Sequence, residues 1–497
     1  MGKVGVNTVW SNMASLTNAV RTLALRVSVG ENVVIVAAVV LLLARFWRLD
    51  SSPPGFYADE MSFTANPVCL RHTGADIWGN GWGLAWGGVV DNFGTNVASP
   101  LHFNVLNVLW FTLAGDSIMA ARALEVMISL VTVASTVGIA HNLLGRTASI
   151  WVLALSSISP WLWALSRVAF LAPETSVAHL FFGLWIASNH VRRADRPRNI
   201  ELVAAGLSFG VGLLYPYTAL MSLLVIVFMG VYLARSSRRW LSISLFLVAT
   251  FSSYLYMQIA IGKYASDRVR SVGGVFSQLR NDQSVMEKAV TVVDATWGYL
   301  LQHLSLDFLV FRGDRNPRHH SGWGGMLSWP QILLLALVPL VVVALITNKS
   351  SLRREAQVLL FSAVGVLCGL MTAAISAQGI PHANRSLTSA SFFVLACAAI
   401  AVVMSPRVKF LAVICCVVGG VFFASYLRDY FTEFPVRADV AFNGEIRREG
   451  ERAQETGDFA GFYAQFPRFI NMYGAITDKT LVYFEAVGTG RGCPGYR

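Results

Sequence analysis

Residues 33–60, VVIVAAVVLLLARFWRLDSSPPGFYADE, set the reading of the whole chain. The first part, Val33 to Ala44 and on through Phe46 and Trp47, is an apolar run with no acidic residue. Such a run satisfies its backbone in lipid only as a helix. Arg45 and Arg48 follow, with no small-residue cleavage site, so the run reads as a retained anchor. Just beyond it, Pro53, Pro54 and Gly55 turn the chain into Asp59-Glu60. Paired carboxylates at the mouth of a first membrane helix point to chemistry at the membrane surface.

The rest of the sequence repeats the first half of this pattern. The 497 residues are 55% apolar and only 13% charged, with a mean hydropathy of +0.55. That excludes a soluble domain of ordinary composition. The net charge of +11 does not indicate nucleic acid, because the basic residues sit largely in short loops between apolar runs. Arg192, Arg193, Arg196 and Arg198 form one cluster, and Arg235, Arg238 and Arg239 another. Lys349, Arg353 and Arg354 form a third, and Arg407 with Lys409 a fourth. All four are expected to be cytoplasmic.

Spans then fall near 30–48, 118–144, 148–165, 171–190, 201–214, 216–234, 240–261, 328–347, 355–376, 385–404 and 408–426. The expectation is an all-α polytopic membrane protein of about eleven transmembrane helices. Residues 1–28 form a cytoplasmic N-terminal segment and 29–426 the membrane module. Loops 49–117 and 262–327 lie outside, with 427–497 as an external C-terminal cap. Ser99 to Gly115 as a span would invert every basic loop, so it reads as an amphipathic or re-entrant helix on the outer surface. Asn104 and Asn107 share one of its faces.

Six cysteines show neither CxxC nor zinc spacing. Cys368, Cys397, Cys415 and Cys416 lie in apolar runs. Cys69 and Cys493 both face the oxidising side in this topology, and their pairing is left open.

Charged residues in spans gather near the outer ends: Arg122, Glu125, Arg167, Glu174 and Arg385. Glu201 and Glu355 lie at cytoplasmic ends. This ring of charge describes a site opening outward and not a polar path through the bilayer; interfacial snorkelling is the plainer account of any one member. Asp59 and Glu60 are neighbours, so one faces a reacting centre while the other pairs with a cation or caps the helix starting near Met61. A general base needs only reach and an ionised carboxylate. The second external segment carries Lys263, Arg268, Arg270 and Arg280, then RGDRNPRHH (312–320). IPHANRSL (380–387) adds His382 and Arg385. Guanidinium groups at headgroup level suit a phosphate, and anionic lipid headgroups would attract them as well. His319-His320 is a weak metal signal.

In their order along the chain these pieces resemble the GT-C membrane glycosyltransferases, in particular bacterial relatives of the protein O-mannosyltransferases and of the lipid A aminoarabinose transferase. PPGFYADE (53–60) resembles the first-loop acidic motif. SPLHFNVLNVLWFTLAG (99–115) resembles the juxtamembrane segment, and AARALEVMISLVTVASTVGIAHNLLG (120–145) the helix after it. SPWLWALSRVAFLAPE (159–174) resembles the SR turn and LLYPYTAL (213–220) the Tyr-x-Tyr turn. RGDRNPRHH and IPHANRSL resemble two further segments of a bacterial subfamily. One departure stands out: relatives often carry an acid just before the proline that follows the SR turn, where this chain has Ala172, with Glu174 after the proline.

The resemblance implies a GT-C bundle and transfer of a sugar, with inversion, from a polyprenyl-phosphate donor to a glycan, lipid or protein acceptor. The protein would be a multi-pass component of the bacterial cytoplasmic (inner) membrane, with its site on the extracytoplasmic side. Asp59 maps to the catalytic base, with Glu60 beside it. Arg270, Arg318, His319 and Arg385 are implied as ligands of the donor phosphate or lipid, together with His382, Tyr215, Tyr217 and Arg167. No cofactor is assigned, and a divalent metal is left open, with no ligand set assigned. The rival readings are a transporter or flippase of lipid-linked sugars, and a polymerase or ligase with a diphosphate leaving group. The first would depend on charge deep in the bilayer.

Overall fold

The computed structural model describes residues 30–75, 87–92, 95–192, 199–213, 240–255, 274–348, 350–376, 379–408, 410–465 and Cys493. Helix α1 covers residues 30–43 and α2 Ala58–Thr73. A hairpin of β1 (Gly87–Asn92) and β2 (Thr95–Pro100) leads into α3 (Leu101–Ala114). Helices α4 (Ile118–Leu144), α5 (Arg146–Ser157), α6 (Pro160–Leu165), α7 (Ala172–Arg192) and α8 (Asn199–Gly212) follow. Then come α9 (Trp240–Leu255), α10 (Val285–His303), α11 (Trp329–Ala336), α12 (Val338–Thr347), α13 (Arg353–Ile375), α14 (Leu387–Met404) and α15 (Leu411–Thr432). Three short helices end the described chain: α16 (Phe434–Ala438), α17 (Gly444–Thr456) and α18 (Phe459–Ala464).

The helical reading holds apart from the hairpin, whose strands pair antiparallel with Val90 opposite Val97. Helix positions also agree with the hydropathy pattern, and the expected span count is supported in part. Among the described residues four helices are long and apolar enough to cross a membrane alone: α4, α13, α14 and α15. The pair α11–α12, bent by 43°, makes a fifth if counted as one span. The described residues therefore support four or five of the expected eleven spans, and where a run falls short the reasons are local. Ser159 and Pro160 split the 148–165 run, with Ser159 capping α6 through the Leu162 N–H (3.4 Å). Pro339, at the start of α12, has no N–H to continue the ladder from α11. Helix α8, at 14 residues, is about 21 Å long, short of a hydrocarbon core of roughly 30 Å. The 216–234 span lies outside the described residues.

Glycines set the closest helix contacts. Gly365 and Gly369, four apart on α13, face α14: a Cβ at Gly369 would lie 2.2 Å from the Ser389 Oγ, and one at Gly365 2.4 Å from the Phe392 ring. Gly206 and Gly210 on α8 do the same toward α9, against the carbonyl oxygens of Phe246 and Thr250. Such spacing lets backbones approach where lipid offers no hydrophobic drive. Helix α14 is the centre of the bundle, buried at every position except Val402. Its serines, alanines and Cys397 leave room for neighbours on all sides.

Several of the described helices turn apolar faces outward, α3 and α10 among them. Helix α3 exposes Val105, Leu106, Leu109 and Leu113 while burying Asn107, an arrangement suited to the interface expected of it. Helix α10, capped by Ser284 and Glu287, exposes Met286, Val290, Val293, Trp297 and Leu301 in one stripe. Cys69 of α2 is disulfide-bonded to Cys493, closing the question the sequence left open and tying the far C-terminus to the helix after the acidic loop.

The end of α15 and the segment after it pack on that loop. The Ser52 hydroxyl donates to the Tyr430 carbonyl (2.9 Å), and Arg447 donates to the carbonyls of Pro54 (3.0 Å) and Asp50. Gly55 is required there, since a Cβ would fall 2.0 Å from the Phe442 carbonyl oxygen.

Candidate functional site

Asp59 and Glu60 occupy the first turn of α2, about 100° apart around the helix. Their environments diverge accordingly. Glu60 is fully buried. Its Oε1 accepts from Arg122 Nε (2.8 Å) and the Ala169 N–H (2.9 Å). Its Oε2 accepts from Arg122 Nη2 (3.0 Å) and the Tyr57 N–H (3.0 Å). Arg122, equally buried, spends its remaining donors on the carbonyls of Leu49, Pro53 and Gly55 at 2.8, 2.8 and 2.6 Å. All five guanidinium N–H groups are thereby used. Glu60 thus has no lone pair aimed at a substrate: it caps α2 and anchors the loop. Asp59, by contrast, stays partly exposed.

Arg167 belongs with Glu60. It is fully buried and donates to the carbonyls of Arg45, Trp47 (2.7 Å) and Ser52 (2.7 Å). The rings of Trp163, Tyr430 and Phe431 surround its guanidinium at 5.2–5.5 Å. The SR turn is therefore a clamp on the first loop, and its arginine is not presented to a phosphate. The same turn donates the Leu171 N–H to Glu125 (2.8 Å), with Leu171 held at φ 46°. Glu174, just after Pro173, is buried.

A second cluster forms where 312–320 meets 380–385. Arg318, half-buried, lies over the Tyr57 ring, its guanidinium carbon 3.9 Å from the centroid. Its Nε donates to the Ala441 carbonyl (2.8 Å). Its two terminal nitrogens make no hydrogen bond among the described residues. Arg318 thus joins the loop of Asp59 to a segment more than two hundred residues later. Tyr57 also meets Phe170 edge-on (6.2 Å), and Phe170 meets the His319 ring (5.8 Å).

His319 then contacts His382, their ring centroids 4.4 Å apart, and shares a hydrogen bond between its Nδ1 and Asp314 Oδ2 (2.9 Å). Asp314 also accepts from the N–H groups of Ala383 (2.7 Å) and Asn316 (2.8 Å). Burial alone would raise the Asp314 carboxyl, but His319 and these two N–H groups outweigh it and hold it below its ordinary value. His382 is pushed well below the usual imidazole range by burial, with His319, Arg385 and His303 adding to it. The His382 N–H donates to His303 Nε2 (3.0 Å). Arg385 is buried, with Nη1 on the Ser376 hydroxyl (2.7 Å).

The histidine pair read from the sequence separates. His320 turns from His319, lies against Gly313 and accepts from the Gly322 N–H (3.1 Å). Burial lowers it to about 4. Arg270, Tyr215 and Tyr217 lie outside the described residues. Sequence reasoning placed Arg122 in the ring of charge but did not single out Asp314, Tyr57 or His303 as site residues. Asp314 stood inside the quoted RGDRNPRHH, five residues before His319, and was passed over among cations.

No family model matches the sequence, and no curated protein matches it. Among solved structures the chain is similar to the crystal structure of the Archaeoglobus fulgidus oligosaccharyltransferase in complex with Zn and sulfate. The TM-score is 0.41 and the sequence identity 11%, over 82% of this chain and 53% of that one. This chain spans about half the length of that protein.

Proposed function

We propose that this protein is a membrane glycosyltransferase with its site on the extracytoplasmic side of the cytoplasmic membrane. It moves a sugar from a polyprenyl-phosphate donor to an acceptor hydroxyl. The observation that carries the reading is the split between neighbouring carboxylates beside a cation. Glu60 is consumed by Arg122, while Asp59 stays partly exposed in the first turn of α2, next to the Tyr57 ring that Arg318 covers.

In this mechanism Asp59 removes the acceptor proton as the hydroxyl oxygen attacks the anomeric carbon. The bond to the phosphate oxygen breaks on the opposite face, so configuration inverts. The departing phosphate gains charge, which Arg318 meets with its two terminal nitrogens, uncommitted among the described residues, and Arg385 adds positive charge from the next loop. Glu60 and Arg167 position the loop and do not touch substrate. The prenyl chain runs along the bundle, where outward apolar side chains lie. Arg270, Tyr215 and Tyr217 remain donor-binding candidates on the motif resemblance.

The test supplies purified protein with a polyprenyl-phosphate sugar and an acceptor alcohol and reads the product's anomeric configuration by NMR. Inverted product is expected. Retained configuration, or donor moved across a bilayer without being cleaved, would contradict the proposal and favour a covalent mechanism or a transporter respectively.

A further inference from the structure

Asp314, His319 and His382 offer a carboxylate oxygen and two ring nitrogens that all lie within 4.8 Å of one another. A tetrahedral zinc-like ion, with bonds of about 2.0–2.2 Å, spaces its ligand atoms at roughly 3.3–3.5 Å. Small side-chain rotations close that difference. We propose that these three residues form a binding site for a divalent transition metal of the zinc type, with a fourth position open to an exchangeable oxygen ligand.

The donor chemistry selects the metal. Two imidazoles and one carboxylate suit a borderline ion such as zinc, whereas magnesium and calcium prefer all-oxygen sets. The surroundings are built for it. Asp314 and His319 are buried although Arg312 and Arg315 beside them are exposed. Asn316 and Ala383 fix the carboxylate through their N–H groups. His303 holds the backbone of His382 while its own Nδ1 is bonded to the Tyr299 carbonyl (2.8 Å), an outer layer of the kind that orients metal ligands.

Two adjustments admit the ion. The His319 ring exchanges its shared hydrogen bond with Asp314 for a common cation. His382 releases the Arg385 N–H contact, which at 3.3 Å is already long. The ion would then join the 312–320 turn to the 380–385 turn, with Arg318 adjacent in sequence to one ligand and Arg385 three residues from another. An anionic oxygen is the natural occupant of the open position. The site stands on this geometry whether or not the chain transfers sugars.

The experiment uses the full-length protein, purified through a histidine-free tag and held in lipid nanodiscs. It is stripped with chelator, reloaded with Zn²⁺ or Co²⁺, freed of excess ion, and assayed for metal by mass spectrometry. Wild type is expected to retain one equivalent, with a tetrahedral Co²⁺ absorption band. Asp314→Asn and His382→Ala should each bind at least about tenfold more weakly, while His72→Ala, altering a separate His–Asp pair, should not change. Should a variant fail to fold, the wild-type stoichiometry and cobalt spectrum decide alone. Sub-stoichiometric metal in wild type, an octahedral cobalt spectrum, full retention by folded His382→Ala, or loss in His72→Ala would each overturn the proposal.

Discussion

Two polar clusters flank Tyr57, and they are built on opposite terms. Around Glu60, Arg122 and Arg167 the guanidinium groups are fully buried and engaged by backbone carbonyls, the Glu60 carboxylate and aromatic rings. Around Arg318, His319, His382 and Asp314 the carboxylate is fixed, but Arg318 keeps two uncommitted nitrogens among the described residues. The Glu60–Arg122 pair is saturated and has nothing left for a ligand, while the Arg167 Nε is buried without a hydrogen-bond partner among the described residues. Residue type did not separate the two, since both clusters are built on arginine.

The sharpest way to break the comparison is to remove Arg122. Arg122→Ala strands a buried carboxylate, and a loss of about 3–5 kcal/mol is expected, read as collapse of the thermal midpoint and of the folded yield. A stable Arg122→Ala protein would mean that the knot is not an anchor. A smaller loss, of about 1–3 kcal/mol, is expected for Gly369→Ala, because its new methyl meets the Ser389 hydroxyl. Thermal unfolding checks it, and an unchanged midpoint would show that α13 and α14 can part without cost.

On the other side, Arg318→Ala should weaken donor binding about tenfold to a hundredfold. The thermal midpoint should move much less than in Arg122→Ala. Donor titration and unfolding on one preparation separate these, and the reverse order would merge the two clusters into one. The mildest change is Ser52→Ala, which deletes the hydrogen bond to the Tyr430 carbonyl. About 1 kcal/mol is expected, with donor affinity intact.

Much of the bundle was legible because hydropathy and helix caps are local. Residues 118–144 were read as one helix and form α4, where Ser117 caps the start and Gly145, at φ 92°, closes the end. The breaks were written in Pro160 and Pro339, although hydropathy averaged across them. The division of labour between Asp59 and Glu60 was half legible: one of two neighbours had to face away, but which one depends on Arg122, 62 residues later. The approach of His382 to His319 was not legible at all. Each lies in a loop without periodicity, and their meeting is decided by how α14 packs at the centre of the bundle.

The account rests on Asp59 taking the acceptor proton in a site built around its locked neighbour. Single-turnover sugar transfer by purified Asp59→Asn, at donor occupancy matched to wild type, tests that most directly. The expected result is a rate lower by about 10²- to 10⁴-fold with an unchanged thermal midpoint. Transfer at the wild-type rate with donor equally bound would contradict it.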